Sequence, residues 1–324
     1  MAATDAAAQI GVASRSMTAG TVTAAMVREA ADRIRPLARR TPVLEAEIDG
    51  TQLFFKCENL QRGGSFKIRG ASNLILSLTP EEQARGIIAF SSGNHAQGVA
   101  LAARHVGARA TIVMPSDAPR SKMQATRGYG ATVVTYDRMR ENREEIAQRL
   151  LGDTGATLVP PFDHPMIVAG QGTTALELLE EAPGLEALVT CLGGGGLTAG
   201  CALIAKDINP AIRIFGVEPE TGNDWFLSLQ KGERVEIPPP PTIADGLRTV
   251  MPGKVPFPIL QKLLEQVLLV TDDELRSAMR FLMETVKIVS EPSGAAATAG
   301  VLSGKIPMRF RRIGVIVSGG NLDF

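Results

Sequence analysis

LVTCLGGGGLTAG, residues 188–200, starts as an apolar and β-branched run, turns at four consecutive glycines and continues with helix-forming residues from Leu197. An apolar strand that feeds a glycine turn and then a helix is the building unit of a parallel sheet covered on both faces, hence of an α/β fold. Gly193, Gly194, Gly195 and Gly196 also let successive backbone N–H groups converge on one anion, and the helix that follows adds roughly half a positive charge at its N-terminus. A phosphate is the ligand this suits. The run lacks the Lys-Ser/Thr ending of a nucleoside-triphosphate loop, so backbone would do most of the holding. A second reading stays open: Gly194, Gly196 and Ala199 fit the GxGxxA form of a dinucleotide fingerprint, with Glu218 at the end of the next strand, where a ribose-binding acid belongs.

The strand-then-helix rhythm recurs outward from this stretch. Residues 86–90 read as a strand followed by a helix from about 94 to 105, and 110–114 as a strand followed by a helix near 121–127; 131–135 begins a third unit. A second set follows Pro160 and Pro161, with a helix over about 172–180, the strand 187–192, the glycine turn with its helix, and the strand 213–217. Residues 272–286 form a helix and 313–317 a closing buried strand. Earlier, the chain turns helical at Thr21, with Met26, Ala30 and Ile34 at i, i+4, i+8 and Val27 beside them, and 52–56 is a short strand. The four prolines Pro238, Pro239, Pro240 and Pro241 form an extended linker or edge. Two α/β units, their sheets mostly parallel, with a cleft between them account for this order.

At 324 residues the chain can bury ~75% of its unfolded surface and needs no covalent staple. Lys plus Arg equals Asp plus Glu at 34 each, which removes the bulk electrostatic argument for nucleic acid or an anionic membrane surface and leaves a small molecule as the expected partner. No apolar run reaches ~18 residues, so no membrane span is expected. Cys57, Cys191 and Cys201, odd in number and set in apolar or glycine-rich contexts, are expected as buried thiols of a cytoplasmic protein. His95, His105 and His164 lack zinc-ligand spacing. Residues 1–20 have no basic start followed by an apolar core, and are expected as a partly disordered tail rather than a signal peptide.

Three further loops carry polar chemistry. In GGSFKIRGA, residues 63–71, Lys67 lies between Phe66 and Ile68 with Arg69 close by; apolar packing and a neighbouring positive charge both favour the neutral amine over the ammonium. Such an amine condenses with an aldehyde, pyridoxal phosphate being the common biological case. The plain alternative is a solvated lysine on the first turn of a helix capped by Ser65. In FSSGNHAQG, residues 90–98, Ser91, Ser92, Asn94 and His95 set hydroxyl, amide and imidazole donors beside free helix N–H groups, which suits a carboxylate; an N-cap with a chance histidine is the alternative. SGGN, residues 318–321, puts Ser318 at the C-terminal edge of the last strand, where open α/β folds bind ligands.

Taken together these runs resemble the fold-type II pyridoxal-phosphate enzymes, specifically the threonine/serine dehydratase and serine racemase family. The resemblance covers nearly the whole chain: TPVLEA from Thr41, ENLQRGGSFKIRGA from Glu58, SSGNHAQG from Ser91, AGQGT from Ala169, GGGGL from Gly193, TIADG from Thr242, EPSGA from Glu291 and SGGN from Ser318, in that order. It implies a tryptophan synthase beta-like architecture, with a large domain of residues 1–77 and 159–324, a small domain of residues 78–158, and the cofactor in the cleft. A homodimer is the assembly it implies. Lys67 would carry pyridoxal 5'-phosphate, with Phe66, Gly246 and Glu291 also at the cofactor. Asn94 would bond its ring hydroxyl, Gly193, Gly194, Gly195, Gly196 and Leu197 would hold its phosphate, and Ser318 would face its pyridine nitrogen. Ser91, Ser92, Asn94 and His95 would hold the substrate carboxylate.

The same resemblance implies a reaction. The substrate amine displaces Lys67, the freed lysine removes the α-proton, the β-hydroxyl leaves, and hydrolysis gives a 2-oxo acid and ammonia. A serine at the pyridine nitrogen does not hold it protonated, so the ring is a weaker electron sink, which suits prompt β-elimination. L-Threonine or L-serine is the default substrate. Serine racemisation, with Ser92 as the opposite-face acid/base, and dehydration of 3-hydroxyaspartate or an arylserine are alternatives within the family; an NAD(P)-dependent dehydrogenase is the alternative from another class. Glu218, Gly222 through its carbonyl, and Asp224 match a divalent-cation site of the racemase-like members, and hard oxygen ligands suit Mg²⁺ or Ca²⁺; a solvated acidic turn is the alternative. With its end just after SGGN, the chain is expected to lack the C-terminal regulatory domain of the feedback-inhibited threonine dehydratases.

Overall fold

The computed structural model describes residues 21–322 apart from Ser92, Pro119, Arg138 and 307–309, so the expected tail at residues 1–20 lies outside the described residues. The strands are β1 Val43–Ile48, β2 Thr51–Cys57, β3 Ile87–Phe90, β4 Ala110–Pro115, β5 Thr132–Tyr136, β6 Thr157–Leu158, β7 Ala187–Cys191, β8 Arg213–Pro219, β9 Gln266–Val270 and β10 Arg312–Val317. The helices are α1 Ala24–Ile34, α2 Lys67–Ile75, α3 Pro80–Arg85, α4 Asn94–His105, α5 Arg120–Gly128, α6 Arg143–Thr154, α7 Pro165–Glu181, α8 Gly196–Ile208, α9 Asp224–Lys231, α10 Pro256–Leu263, α11 Asp272–Phe281 and α12 Pro292–Leu302.

Two sheets result. One has the order β1-β2-β10-β7-β8-β9 and is parallel except for the β1–β2 hairpin; the other, β5-β4-β3-β6, is parallel throughout. The hairpin turns on Asp49 and Gly50, both at positive φ (50° and 77°), with Ile48 opposite Thr51. That is the Asp-Gly two-residue turn whose twist matches the flanking strands. β7 is buried along its whole length, as an apolar strand covered on both faces must be. Helices α7 and α8 cross closely enough that a Cβ on Gly200 would come within 2.1 Å of the Val168 carbonyl oxygen. Glycine at this crossing is a packing requirement.

The strands and helices expected from the apolar rhythm are present, with instructive departures. The helix expected at 172–180 is the second half of α7, which starts at Pro165 behind a His164 cap accepting from the Met166 N–H. The helix expected over 272–286 is α11 followed by a π-turn at Leu282–Val286, which ends on Lys287 at φ 65°. β1 and β9 were not anticipated. Cys57, Cys191 and Cys201 are free and buried, as expected. Among the described residues no helix is long and apolar enough to cross a membrane.

Candidate active site

The lysine loop is fastened to the end of β10. Ser65 is extended and bridges to Gly319, the Phe66 N–H donates to the Ser318 carbonyl (3.1 Å), and the Gly320 N–H donates to the Gly64 carbonyl (2.9 Å). Ser65 is therefore part of a sheet-like contact and not the cap of α2, whose first residue is Lys67. The Lys67 Nζ donates to the Pro161 carbonyl (2.9 Å) and lies 5.0 Å from the centre of the Phe66 ring. Burial pushes its pKa down to about 8, while the Cys191 thiol and the Glu291 carboxyl pull it back up.

Arg69 does not contribute in the way its position in the sequence suggests. Its guanidinium is buried and faces Glu58 (Nε to Oε2, 2.7 Å) and Glu177 (Nη2 to Oε2, 2.7 Å), so its charge is already neutralised by carboxylates. Desolvation of Lys67 does the work that the sequence reading divided between packing and charge.

The glycine turn lies at the C-terminal end of β7, with Gly195 at φ 91° capping α8. Among the described residues none accepts from the N–H groups of Gly194, Gly195, Gly196 or Leu197. The absence of side chains has a second cause there. A Cβ on Gly194 would lie 2.2 Å from the Phe162 ring, and one on Gly195 would lie 2.2 Å from the ring of Trp225. Trp225 is fully buried and its indole N–H donates to the Gly193 carbonyl. The turn is thus shaped by two aromatic rings as well as by its own backbone freedom.

Asn94 starts α4 and reaches across to the start of α12 and the loop after β10. Its Nδ2 donates to Glu291 Oε1 (2.5 Å), and its Oδ1 accepts from Asn321 Nδ2 (2.8 Å), which also bonds the Gly63 carbonyl (2.8 Å). Burial raises the Glu291 pKa to about 7, and the Asp245 charge adds to this. The Gly246 N–H donates to Ser293 Oγ (2.9 Å) in the first turn of α12, two residues after Glu291. Ser318 is buried beside Cys191, with Oγ 3.3 Å from its Sγ. Ser91 Oγ accepts from the Gly93 N–H (3.2 Å), and Ser92 lies outside the described residues.

His95 departs from its expected part. Its ring is 2% exposed, its Nε2 is 2.8 Å from the Val159 carbonyl, and burial together with the Lys67 charge pushes its pKa down to about 3. A neutral imidazole that donates to a carbonyl has only a bare acceptor left, so the group His95 can offer an anion is its backbone N–H near the start of α4.

The pyridoxal-phosphate dependent enzyme family matches residues 34–319. The chain belongs to this family. It is 50% identical over 302 residues to an L-threo-3-hydroxyaspartate ammonia-lyase of Pseudomonas sp, covering 92% of this chain and 94% of that protein. It is 45% identical over 301 residues to a serine racemase of Schizosaccharomyces pombe, covering 92% and 93%. Among solved structures, serine racemase from Dictyostelium discoideum superposes with a TM-score of 0.90 at 41% identity, covering 94% of this chain and all of that one. As a member of the pyridoxal-phosphate dependent enzymes the chain uses pyridoxal phosphate, and the dinucleotide reading of the glycine run falls. Glu218, the acid of that reading, is buried, and its oxygens accept from the Trp225 and Phe226 N–H groups (3.3 and 2.9 Å).

The donor set fits the family's cofactor. Free N–H groups at a helix N-terminus suit a phosphate, and a buried amine of lowered pKa suits an aldehyde. The sequence gives site roles to Ser318 and Asn94 but none to Pro161, Phe162, Cys191 or Asn321. Asn321, inside SGGN, and Cys191, two residues before the glycine turn, each had a local signal that could have exposed it.

The acidic loop sits behind Trp225. Asp224 is buried and neither carboxylate oxygen has a hydrogen-bond partner, while Gly222 closes a turn by donating to the Pro219 carbonyl (2.9 Å).

Proposed function

We propose that this enzyme is an ammonia-lyase that eliminates water from a β-hydroxy α-amino acid to give a 2-oxo acid and ammonia. The observation that carries the reading is the Lys67 amine, held by the Pro161 carbonyl one residue from Phe162, whose ring packs on the glycine turn. L-threo-3-Hydroxyaspartate leads as substrate because the Pseudomonas relative carries that name at 50% identity, with L-serine and L-threonine behind it. Racemisation is the second reading, favoured by the serine racemase of Schizosaccharomyces pombe at 45% identity and by the presence of Ser92.

The residue roles follow from the arrangement. Gly193, Gly194, Gly195, Gly196 and Leu197 take the cofactor phosphate through backbone N–H groups, with Phe66 below the amine. Ser318 would face the ring nitrogen, Asn94 would bond the ring hydroxyl, and Gly246 and Glu291 would also lie at the cofactor. Bound there, pyridoxal phosphate withdraws electrons from the substrate α-carbon and so acidifies its hydrogen. Lys67 accepts that proton at Nζ, which a lowered pKa allows near neutrality. Ser91, Ser92, Asn94 and the His95 N–H orient the substrate carboxylate, and Ser92 supplies a proton from the opposite face.

Glu218, Gly222 and Asp224 hold a divalent cation, Mg²⁺ or Ca²⁺, in this reading; the buried and unpartnered Asp224 oxygens support it. An ion bound only by the folded state stabilises it, so chelation should lower the melting temperature and Asp224→Ala should remove that response. Indifference of the wild type to both chelator and added Mg²⁺ would reduce the loop to a turn. The large domain of residues 1–77 and 159–324 and the small domain of 78–158 are supported by membership of the two sheets, with β6 at the end of the smaller one. A cytoplasmic homodimer completes the reading, checked by light scattering and fractionation. The activity itself is tested with a panel of 3-hydroxy amino acids, measuring oxo acid, ammonia and enantiomer together. Ammonia from 3-hydroxyaspartate, absent with Lys67→Ala, is expected; no ammonia from any member would refute the reading.

A further inference from the structure

One buried nucleophile in the pocket has no part in the scheme above. Cys191 ends β7 and is 5% exposed, and its Sγ lies 3.3 Å from Ser318 Oγ. The other partner of that hydroxyl among the described residues is the Ser293 carbonyl, at 3.4 Å. A hydroxyl has a single hydrogen and a carbonyl can only accept, so the Ser318 hydrogen goes to Ser293 and Oγ accepts from the thiol S–H. The thiol can donate because it stays protonated: burial pushes its pKa up, against the bond to Ser318 and the Lys67 charge.

We propose that Cys191 is a positioning residue for Ser318: its S–H takes up a lone pair of Ser318 Oγ and commits that hydroxyl to donating its hydrogen toward the cofactor's ring nitrogen. The proposal rests on the reading that Ser318 faces this nitrogen. The hydrogen that Ser318 lends to Ser293 over a long contact is the one it can redirect, since its acceptor side is already engaged. A nitrogen that receives a hydrogen bond remains an acceptor and stays unprotonated. Without the thiol, Oγ can accept instead, keep its own hydrogen on Ser293, and stabilise a protonated nitrogen. A protonated ring draws charge from the α-carbon more strongly and holds it longer, which shifts the outcome from loss of the β-substituent toward reprotonation. A neighbour 127 residues away in sequence, on the adjacent strand of the sheet, thereby sets the electronic character of the site.

The test is ¹⁵N NMR of pyridine-¹⁵N-labelled pyridoxal phosphate bound to the wild type, Cys191→Ser, Cys191→Ala, Cys191→Val and Ser318→Ala. Wild type and Cys191→Ser, which keep a donor, should show the unprotonated shift. Cys191→Ala and Cys191→Val, one leaving space and the other filling it, should move toward the protonated shift, with the protonated-to-neutral ratio rising about fivefold, the factor one neutral hydrogen bond is worth. If both keep the wild-type shift while Ser318→Ala changes it, Cys191 does not position Ser318 and the proposal is wrong. If Ser318→Ala also leaves the shift unchanged, the assignment of Ser318 to the nitrogen fails, and the proposal with it.

Discussion

Arg69→Met distinguishes a structural arginine from one that tunes the lysine two residues before it. The Arg69 guanidinium is buried and donates to Glu58 through Nε (2.7 Å) and Nη2 (2.8 Å), and to Glu177 through Nη1 and Nη2 (2.7 Å each). Glu177 keeps a second cation, the buried Lys56 at 2.8 Å, but Glu58 is left with the Thr41 hydroxyl (2.6 Å) as its neutral partner. Methionine preserves most of the volume, so the dominant cost is one carboxylate buried without its cation, ~3–5 kcal/mol. Arg69→Lys, which retains the charge but loses the forked geometry, should fall between methionine and wild type.

Urea unfolding of the apoenzyme measures this without the added stabilisation of bound cofactor. The midpoint should drop with little change in slope, while the pH at which Lys67 becomes reactive stays where it was. The reasoning is refuted if Arg69→Met unfolds within ~1 kcal/mol of wild type and instead moves the lysine's titration, because the charge would then act on Lys67 rather than on Glu58.

Three further outcomes can be checked. Capture of pyridoxal phosphate by apoenzyme, trapped with borohydride and mapped to Lys67, should rise with pH, reach half its plateau at about 8 and level off above that; an unperturbed lysine would reach its half-plateau only at ~10.4. His95 is held at about 3 in the folded state against ~6.5 unfolded, so the unfolded chain takes the proton first and stability is lost as pH falls through this window, by up to ~2 kcal/mol at about pH 5; His95→Gln should flatten the slope of urea midpoint against pH, and an unchanged slope would count against the assignment. Gly194→Ala drives a Cβ into the Phe162 ring and should cost ~1–3 kcal/mol, much of it recovered in the double variant with Phe162→Ala; additive losses would mean that the two residues are not in contact.

How much of this was legible in the sequence depended on how far apart the partners lie. The Lys67 loop, the glycine turn and the start of α4 are each contiguous, and their strand-turn-helix grammar could be read directly. The Asp49-Gly50 hairpin is equally legible, as an Asp-Gly turn between EAEI and TQLFF. The partners of Arg69 were not, because Glu58 and Glu177 lie 11 and 108 residues away and only the fold brings them to one buried point. The glycines mislead in a similar way. Read as backbone alone, all four serve an anion; the rings of Phe162 and Trp225, which exclude a side chain at two of them, come from distant segments. His95 was credited with a donor that the Val159 carbonyl takes up, and no local pattern announces such a contact.

The segment that connects the two sheets explains why the site has one register. After β6, the Val159 carbonyl takes the His95 imidazole at 2.8 Å, the Pro161 carbonyl takes the Lys67 amine at 2.9 Å, the Phe162 ring covers Gly194, and Asp163 accepts from the Val255 N–H at 2.7 Å. Its two prolines fix φ near −65° and remove two N–H donors, so the strap does not extend the β6 ladder, and its Val159 and Pro161 carbonyls are taken by side chains. The start of α4, the lysine and the glycine turn are therefore aligned by neighbouring residues of one stiff strap, and an error at any of them would displace the amine relative to the proposed phosphate site. This makes the strap, rather than either sheet alone, the element on which the reacting geometry depends, because a misplacement of about 1 Å is enough to cost about a hundredfold in rate.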